Sequence, residues 1–337
     1  MMSLSKRLLF CAPHRVDIQE APLVAPPAGQ FLVETAFSAI SPGTEMLIYR
    51  GQFPDMAVDS NFEAMGDKFA YPLAYGYACV GRVMAAGPGA DSSWVGRQVF
   101  SFQPHSSHFF ASENTLLAVP DGLSLESACF FPNMETAVNL VQDAAPLLGE
   151  RVLVLGQGII GLLTAALLAE FPLECLVTAD LFPTRRAAAQ SLGVSAALDP
   201  AAPDFHAQAR SYLKAGADLA LELSGAPEVL NEAIELTAFS GRVVIGSWYG
   251  QKRAPLDLGG SFHRSRIRLI ASQVSTIAPE LSARWDKARR YELAWQALAR
   301  LHPEKWITQR FTLDQAAQAY RLLDENPDQA LQVVFQY

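Results

Sequence analysis

Basic runs are missing from this 337-residue chain: no three lysines or arginines stand together, and acidic residues outnumber basic ones, 34 to 26. Nucleic acid and anionic membrane both call for a concentrated basic face, so neither is an expected partner. Paired cysteines are missing too. Cys11, Cys79, Cys129 and Cys175 are widely spaced, with no CxxC, which excludes a disulfide framework and a cysteine zinc knuckle and leaves buried thiols in a reducing compartment. The longest apolar run, GIIGLLTAALLA at 158–169, is too short to span a bilayer and ends at Glu170. At the start, MMSLSKRLLFCAPHRV has a basic pair before an apolar stretch too brief for a signal-peptide core, and it reads better as a first β-strand. A cytoplasmic location follows. Internal repeats and low-complexity segments are absent as well.

What is present is ample core. Half the residues are apolar and 18% are charged, and 337 residues exceed what one hydrophobic core usually serves, so two domains are expected. Residues 1–120 are β-rich: FLVETAFSA, CVGRVMAAG, RQVFSF and TLLAVP are separated by Pro/Gly punctuation such as APPAGQ, SPGTE and GPGADSS. From about 150 to 271, strand-like segments (RVLVLG, LECLVTAD, DLALELSG, RVVIGSW, RLIASQ) alternate with helical ones. That rhythm predicts an α/β domain with a doubly wound parallel sheet. Two helical stretches and a final strand, QALQVVFQY, close the chain.

Gly156, Gly158 and Gly161 form GxGxxG in RVLVLGQGIIGLLTAALLA, with an apolar strand leading in and a long helix leading out. Asp180 closes the next strand about 20 residues on, the spacing of a dinucleotide site. Gly156 permits the tight turn, Gly158 lets backbone N–H groups (with Ile159 and Ile160 opening the helix) approach a diphosphate, and Gly161 allows close helix–strand packing. A carboxylate at Asp180 accepts hydrogen bonds from ribose hydroxyls and repels a 2′-phosphate, which selects NAD(H) over NADP(H). Arg185 and Arg186, in ADLFPTRR, either meet the cofactor or open the next helix and face water.

The order of parts resembles the medium-chain dehydrogenase/reductase superfamily nearly end to end. The matching pieces are AFSAISPGTEMLIYRG (36–51), PLAYGYACVGRV (72–83), VGRQVF (95–100), the block ending in RVLVLGQGIIG, and FTLDQAAQAY…QVVF. The resemblance implies a GroES-like β-rich catalytic domain at 1–130 and 272–337 around a Rossmann dinucleotide-binding domain at 131–271. Within the superfamily, SPGTE with lost zinc ligands looks most like the branch containing bacteriochlorophyllide hydroxyethyl dehydrogenase. It also implies a homodimer and a small-molecule substrate.

The same resemblance exposes a departure. Zinc alcohol dehydrogenases carry Cys-Gly-Thr-Asp and Gly-His-Glu; here the motifs read Pro42-Gly43-Thr44-Glu45 and Gly76-Tyr77-Ala78. No third ligand stands at Phe131–Asn133, and the four-cysteine lobe is deleted between Phe102 and Phe109. Zinc needs about three N, S or carboxylate ligands, so no zinc is expected. His105 and His108, three apart, remain as a two-histidine metal option or as cleft lining, with His108 also placed for a substrate pocket.

Without a Lewis acid, a side chain must handle the alcohol proton. Thr44 matches the relay hydroxyl of the family, but the next relay position is Leu47. Tyr77, at a vacated ligand position, is the leading proton donor or acceptor, Tyr49 is the alternate, and the competing reading has Tyr77 simply filling space. By resemblance Thr136 and Asn133 lie beside the nicotinamide. Ser224, Gly225, Gly246 and Ser247 fall at strand ends where open α/β sheets bind ligands, and Trp248 and Tyr249 either line the substrate cleft or cover the sheet edge. Cys79 reads as packing; Glu45 and Glu135 show no partner in sequence. The expected function is a zinc-independent, NAD(H)-dependent alcohol–carbonyl oxidoreductase. The rivals are an NADPH-dependent quinone or enone reductase and a cofactor-binding protein without turnover.

Overall fold

The computed structural model describes residues 4–53 and 70–337. Along the chain come β1 (Leu4–Ala12), β2 (Arg15–Pro22), β3 (Gln30–Ala39), α1 (Pro42–Tyr49), β4 (Cys79–Ala86), β5 (Gln98–Ser101), β6 (His108–Ser112), β7 (Leu117–Ala118), α2 (Leu125–Ala128) and α3 (Phe131–Ala144). The strictly alternating part follows: β8 (Arg151–Leu155), α4 (Ile159–Leu168), β9 (Cys175–Ala179), α5 (Pro183–Gln190), β10 (Ala196–Leu198), α6 (Phe205–Leu213), β11 (Ala217–Glu222), α7 (Val229–Glu235) and β12 (Thr237–Ile245). The remainder is α8 (Ser261–Arg264), β13 (Arg268–Ala271), α9 (Lys287–Leu301), β14 (Ile307–Phe311), α10 (Ala316–Glu325) and β15 (Gln332–Gln336). Among the described residues no helix is long and apolar enough to cross a membrane.

Two compact units result, one of residues 1–132 with 298–337 and one of residues 133–297. The chain returns to the first unit at 297/298, because the 272–297 segment is bound into the second unit. Buried Arg290 donates to the Glu135 carboxylate at 2.8 Å and to Asn139 on α3, and to the carbonyls of Val274 and Thr276. A buried guanidinium requires such partners, and here they outweigh the pattern of the surrounding sequence. Lys287 adds a second bond to Glu135 at 2.9 Å, so Glu135 has two cationic partners that no sequence spacing announced.

The first unit is built on a largely antiparallel sheet, order β14-β15-β3-β4-β5-β7 with β6 also on β3, and a separate β1–β2 ribbon. Alternation in QFLVETAFSA places Phe31 and Val33 in one core cluster with Cys79, Val83, Val99 and Phe109. A second cluster gathers Leu8, Phe10, Ile48, Tyr49, Tyr320 and Phe335 around α1 and α10. The second unit is a six-stranded parallel sheet, order β10-β9-β8-β11-β12-β13. Its inner strands β8, β9 and β11 are buried on both faces, which explains why they read as nearly continuous apolar runs. The order reverses between β8 and β11, and it is at such a reversal, beyond the C-terminal strand ends, that sheets of this type bind ligands.

Candidate functional site

In the parallel-sheet unit the chain leaves β8 at Gly156, φ +94°, a left-handed conformation that L side chains avoid. Gly158 is the N-cap of α4, and a Cβ there would meet only Arg185 Nη1, at 3.8 Å. A Cβ at Gly161 would instead stand 2.0 Å from the Gly156 carbonyl oxygen, so helix and turn touch backbone to backbone. Ile159 is buried and Ile160 half-buried in the first turn. Asp180, 7% exposed just past β9, accepts the Gln157 N–H at 2.7 Å and the Phe182 N–H at 2.9 Å. Its carboxylate therefore closes the turn that the three glycines open. Arg185 Nη1 lies 3.7 Å from Asp180 and its guanidinium stacks on Phe182. Arg186 turns away, to the carbonyls of Asp180 and Leu181 and to Asp199 at 3.1 Å.

Glu222 ends β11, fully buried, and accepts from the Ser224 N–H at 2.8 Å, the Ser224 hydroxyl and the Tyr249 hydroxyl at 2.5 Å. Burial, with Glu222 beside it, pushes the Tyr249 phenol far up. Tyr249 is thus tied to the strand ends, whereas Trp248 is 42% exposed. Ser247 Oγ accepts the Gly225 N–H at 2.9 Å, joining the segments that follow the neighbouring strands β11 and β12, and Gly246 lies against Leu140 and Leu223. Thr136 is half-buried and Asn133 buried on α3.

In the other unit the polar residues converge on α1. Ser41 is the N-cap and Pro42 the first helical residue, where a missing N–H costs the helix nothing; the Ser41 hydroxyl makes no cap bond. The Tyr77 hydroxyl donates to Ser41 Oγ at 2.5 Å and lies 3.4 Å from Thr44 Oγ1. Burial raises the Tyr77 phenol above its ordinary value, with the Ser41 and Thr44 bonds working against that rise. Beneath this trio Glu45, 0% exposed, accepts the Ser41 N–H at 2.7 Å and the Tyr320 hydroxyl at 2.5 Å, and is hydrogen-bonded to His105 Nε2 at 2.9 Å. His105 Nδ1 faces Ser38 Oγ at 2.7 Å, and Ser38 Oγ is 2.9 Å from the Tyr337 hydroxyl.

Tyr49 stands elsewhere, 6% exposed and stacked on Tyr320 at 5.4 Å, in the core around α10. His105 and His108 do not converge: His105 turns into the core, while His108 opens β6 with Nε2 3.9 Å from Glu34, and its burial lowers its affinity for a proton. Cys79 is a packing thiol, pushed up to about 12 by burial. The sequence reading missed Ser41, Ser38, Tyr320 and Tyr337. Of these only Ser41 carried a signal, the Ser-Pro start of a helix; the others reach α1 from distant segments.

Zinc does not fit this donor set. Pro42 and Ala78 have no donor atom, the Tyr77 hydroxyl is engaged by Ser41, and the Glu45 and His105 heteroatoms are bonded to one another and to three hydroxyl or amide partners. Among the described residues no group of three or more His, Cys, Asp or Glu side chains could hold a metal ion. A dinucleotide does fit its cradle: three glycines and an acid at the reversal point of a parallel sheet match the shape that a diphosphate and a ribose need.

A Rossmann sheet in one unit and a GroES-like β-rich unit carrying a hydroxyl cluster define a two-domain dehydrogenase. The model of the family "Zinc-binding dehydrogenase" matches residues 160–290. D-guloside 3-dehydrogenase of Escherichia coli K12 is 23% identical over 346 aligned residues, 97% of this chain and 99% of that protein. The 2-desacetyl-2-hydroxyethyl bacteriochlorophyllide A dehydrogenase of Cereibacter sphaeroides is 27% identical over 282, 78% of this chain and 80% of that one. Among solved structures, a short chain alcohol dehydrogenase from E. coli CFT073, complexed with NADH, shares the fold with TM-score 0.80 at 19% identity, covering 99% of this chain and 100% of its own. Together the family model and the relatives support the medium-chain dehydrogenase/reductase superfamily, and the chain is an enzyme, an oxidoreductase.

Proposed function

We propose that the protein interconverts an alcohol and a carbonyl by hydride transfer, using NAD(H) and no zinc, with Tyr77 as the group that handles the proton. The observation that carries this is the Tyr77 hydroxyl held by Ser41 and Thr44 at the N-terminus of α1, with no cluster of three metal-ligating side chains among the described residues. Relatives named D-guloside 3-dehydrogenase and 2-desacetyl-2-hydroxyethyl bacteriochlorophyllide A dehydrogenase support the reaction class. When bound, a nicotinamide exchanges a hydride with the substrate carbon. In the reducing direction Tyr77 donates its proton to the oxygen that becomes the alcohol; in the oxidising direction it must take that proton back.

A phenol is protonated at neutral pH and burial raises Tyr77 further, which suits it to giving its proton to the nascent alkoxide. The tyrosinate left behind accepts from the Ser41 and Thr44 hydroxyls and faces the positive end of the α1 dipole. In the other unit the Gly156–Gly161 turn would take the diphosphate on N–H groups. Asp180 would exchange a backbone partner for ribose hydroxyls.

The test is direct. Purified protein is freed of metal by a chelator and assayed with NAD⁺ against alkyl glycosides, hexitols, 2,3-butanediol and 1-phenylethanol, and with NADH against the matching ketones. Activity that survives chelation and falls at least about 100-fold in Tyr77→Phe is expected. Activity restored only by zinc, or unchanged in Tyr77→Phe, would overturn the proposal. Turnover of quinones or enones alone, with NADPH, would support the reductase alternative.

A further inference from the structure

We propose that His105 is the positioning residue for the Tyr77 hydroxyl, because it holds both sides of the Tyr77–Ser41 hydrogen bond. This rests on the reading of Tyr77 as the proton donor. On one side, the His105 backbone N–H donates to the Tyr75 carbonyl at 3.2 Å. The imidazole lies flush on Gly76, where a Cβ would stand 2.8 Å from Cδ2 and 2.9 Å from Nε2. The segment leading into Tyr77 is therefore seated on this ring. Gly76 has φ +118°, a conformation in which a side chain is strained even without the ring.

On the other side, His105 Nε2 is hydrogen-bonded to Glu45 at 2.9 Å, and Glu45 grips the Ser41 N–H at 2.7 Å. Ser41 in turn receives the Tyr77 hydroxyl. The ring itself cannot turn freely. Nδ1 is tied to Ser38 Oγ at 2.7 Å, and Phe335 packs edge-on at 5.0 Å and 82°. His105 is 0% exposed with both ring nitrogens engaged, so it exchanges no proton with a substrate and acts only through Tyr77 and Ser41. Hydroxyl placement is worth this machinery, since a displacement of about 1 Å at a reacting group can cost roughly 100-fold in rate.

The experiment uses the full chain with 3-fluorotyrosine in place of its nine tyrosines, read by ¹⁹F NMR without and with NADH. The Tyr77 line is identified by its loss in Tyr77→Phe. In His105→Phe, which keeps a ring on Gly76 but cannot hydrogen-bond to Glu45, the Tyr77 line is expected to shift or split by more than its own width. Ser127→Ala, which removes an equally buried hydroxyl bonded to Glu304 in the same unit, leaves it in place. Should His105→Phe fail to fold, Ser38→Ala frees Nδ1 of the same ring and carries the same expectation. An unmoved Tyr77 line in the folded variant overturns the proposal.

Turnover of any compound in the panel above adds a second readout. His105→Phe then lowers kcat about 10- to 100-fold with NADH affinity unchanged, and has no further effect in a Tyr77→Phe background. Equal losses in both backgrounds mean a merely structural residue. If Tyr77→Phe alone retains full kcat, the Tyr77 reading fails. If Tyr77→Phe is impaired and His105→Phe is not, this inference alone fails.

Discussion

Two alanine substitutions in one turn separate packing from ligand binding. In Gly161→Ala the new methyl would sit 2.0 Å from the Gly156 oxygen and 2.9 Å from its carbon. Both are backbone atoms, so no rotamer relieves the clash and the start of α4 must withdraw from the end of β8. That helix is buried on nearly every side, with Leu162, Leu163, Ala165 and Leu168 at 0% exposure, so the withdrawal is felt through the core. Overpacking of this kind costs about 1–3 kcal/mol. In Gly158→Ala the methyl meets nothing nearer than Arg185 Nη1 at 3.8 Å, and φ is −62°. Any N-cap penalty is offset by the reduced freedom of the unfolded chain, so stability should stay within about 0.5 kcal/mol. Yet the methyl stands where backbone N–H groups would meet a diphosphate, and NADH affinity should fall at least about tenfold, or 1.4 kcal/mol. Urea unfolding and fluorescence titration with NADH give both quantities. Unchanged stability in Gly161→Ala would refute the packing argument; wild-type NADH affinity in Gly158→Ala would refute the cradle.

Three further outcomes are expected. Glu135→Ala leaves Arg290, 0% exposed, without its carboxylate; urea unfolding should show a loss of about 3–5 kcal/mol, and Glu135→Gln less. Burial pushes the Glu150 carboxyl up, but its paired bonds to Arg242 and the Leu147 N–H outweigh this and hold it below its ordinary value. Its contribution is therefore complete above the unfolded value and lost as pH falls through the lowered folded one, so Glu150→Gln should flatten the stability slope between about pH 5 and 3. NADH should bind at least about 100-fold tighter than NADPH, with Asp180→Ser narrowing the ratio at least about tenfold. Equal wild-type affinities would contradict the role given to Asp180.

Periodicity in the chain was sufficient for the parallel unit: apolar strands buried on both faces, helices between them, and three glycines whose spacing reflects contacts within a single turn. The hydroxyl trio was half legible. Tyr77 and Thr44 stood in recognisable motifs, and Ser41-Pro42 marked a helix start, because these are local relations. What lay beyond reading was everything that reaches α1 from afar. His105 and Glu45 are bonded across 60 residues, and Tyr320 meets Glu45 across 275. The chain's return at 297/298 depends likewise on Arg290 finding Glu135 across 155 residues. Local backbone geometry and burial leave a periodic imprint on neighbouring residues. A buried charge, by contrast, takes whichever partner the folded chain brings within about 3 Å, and no spacing records that choice.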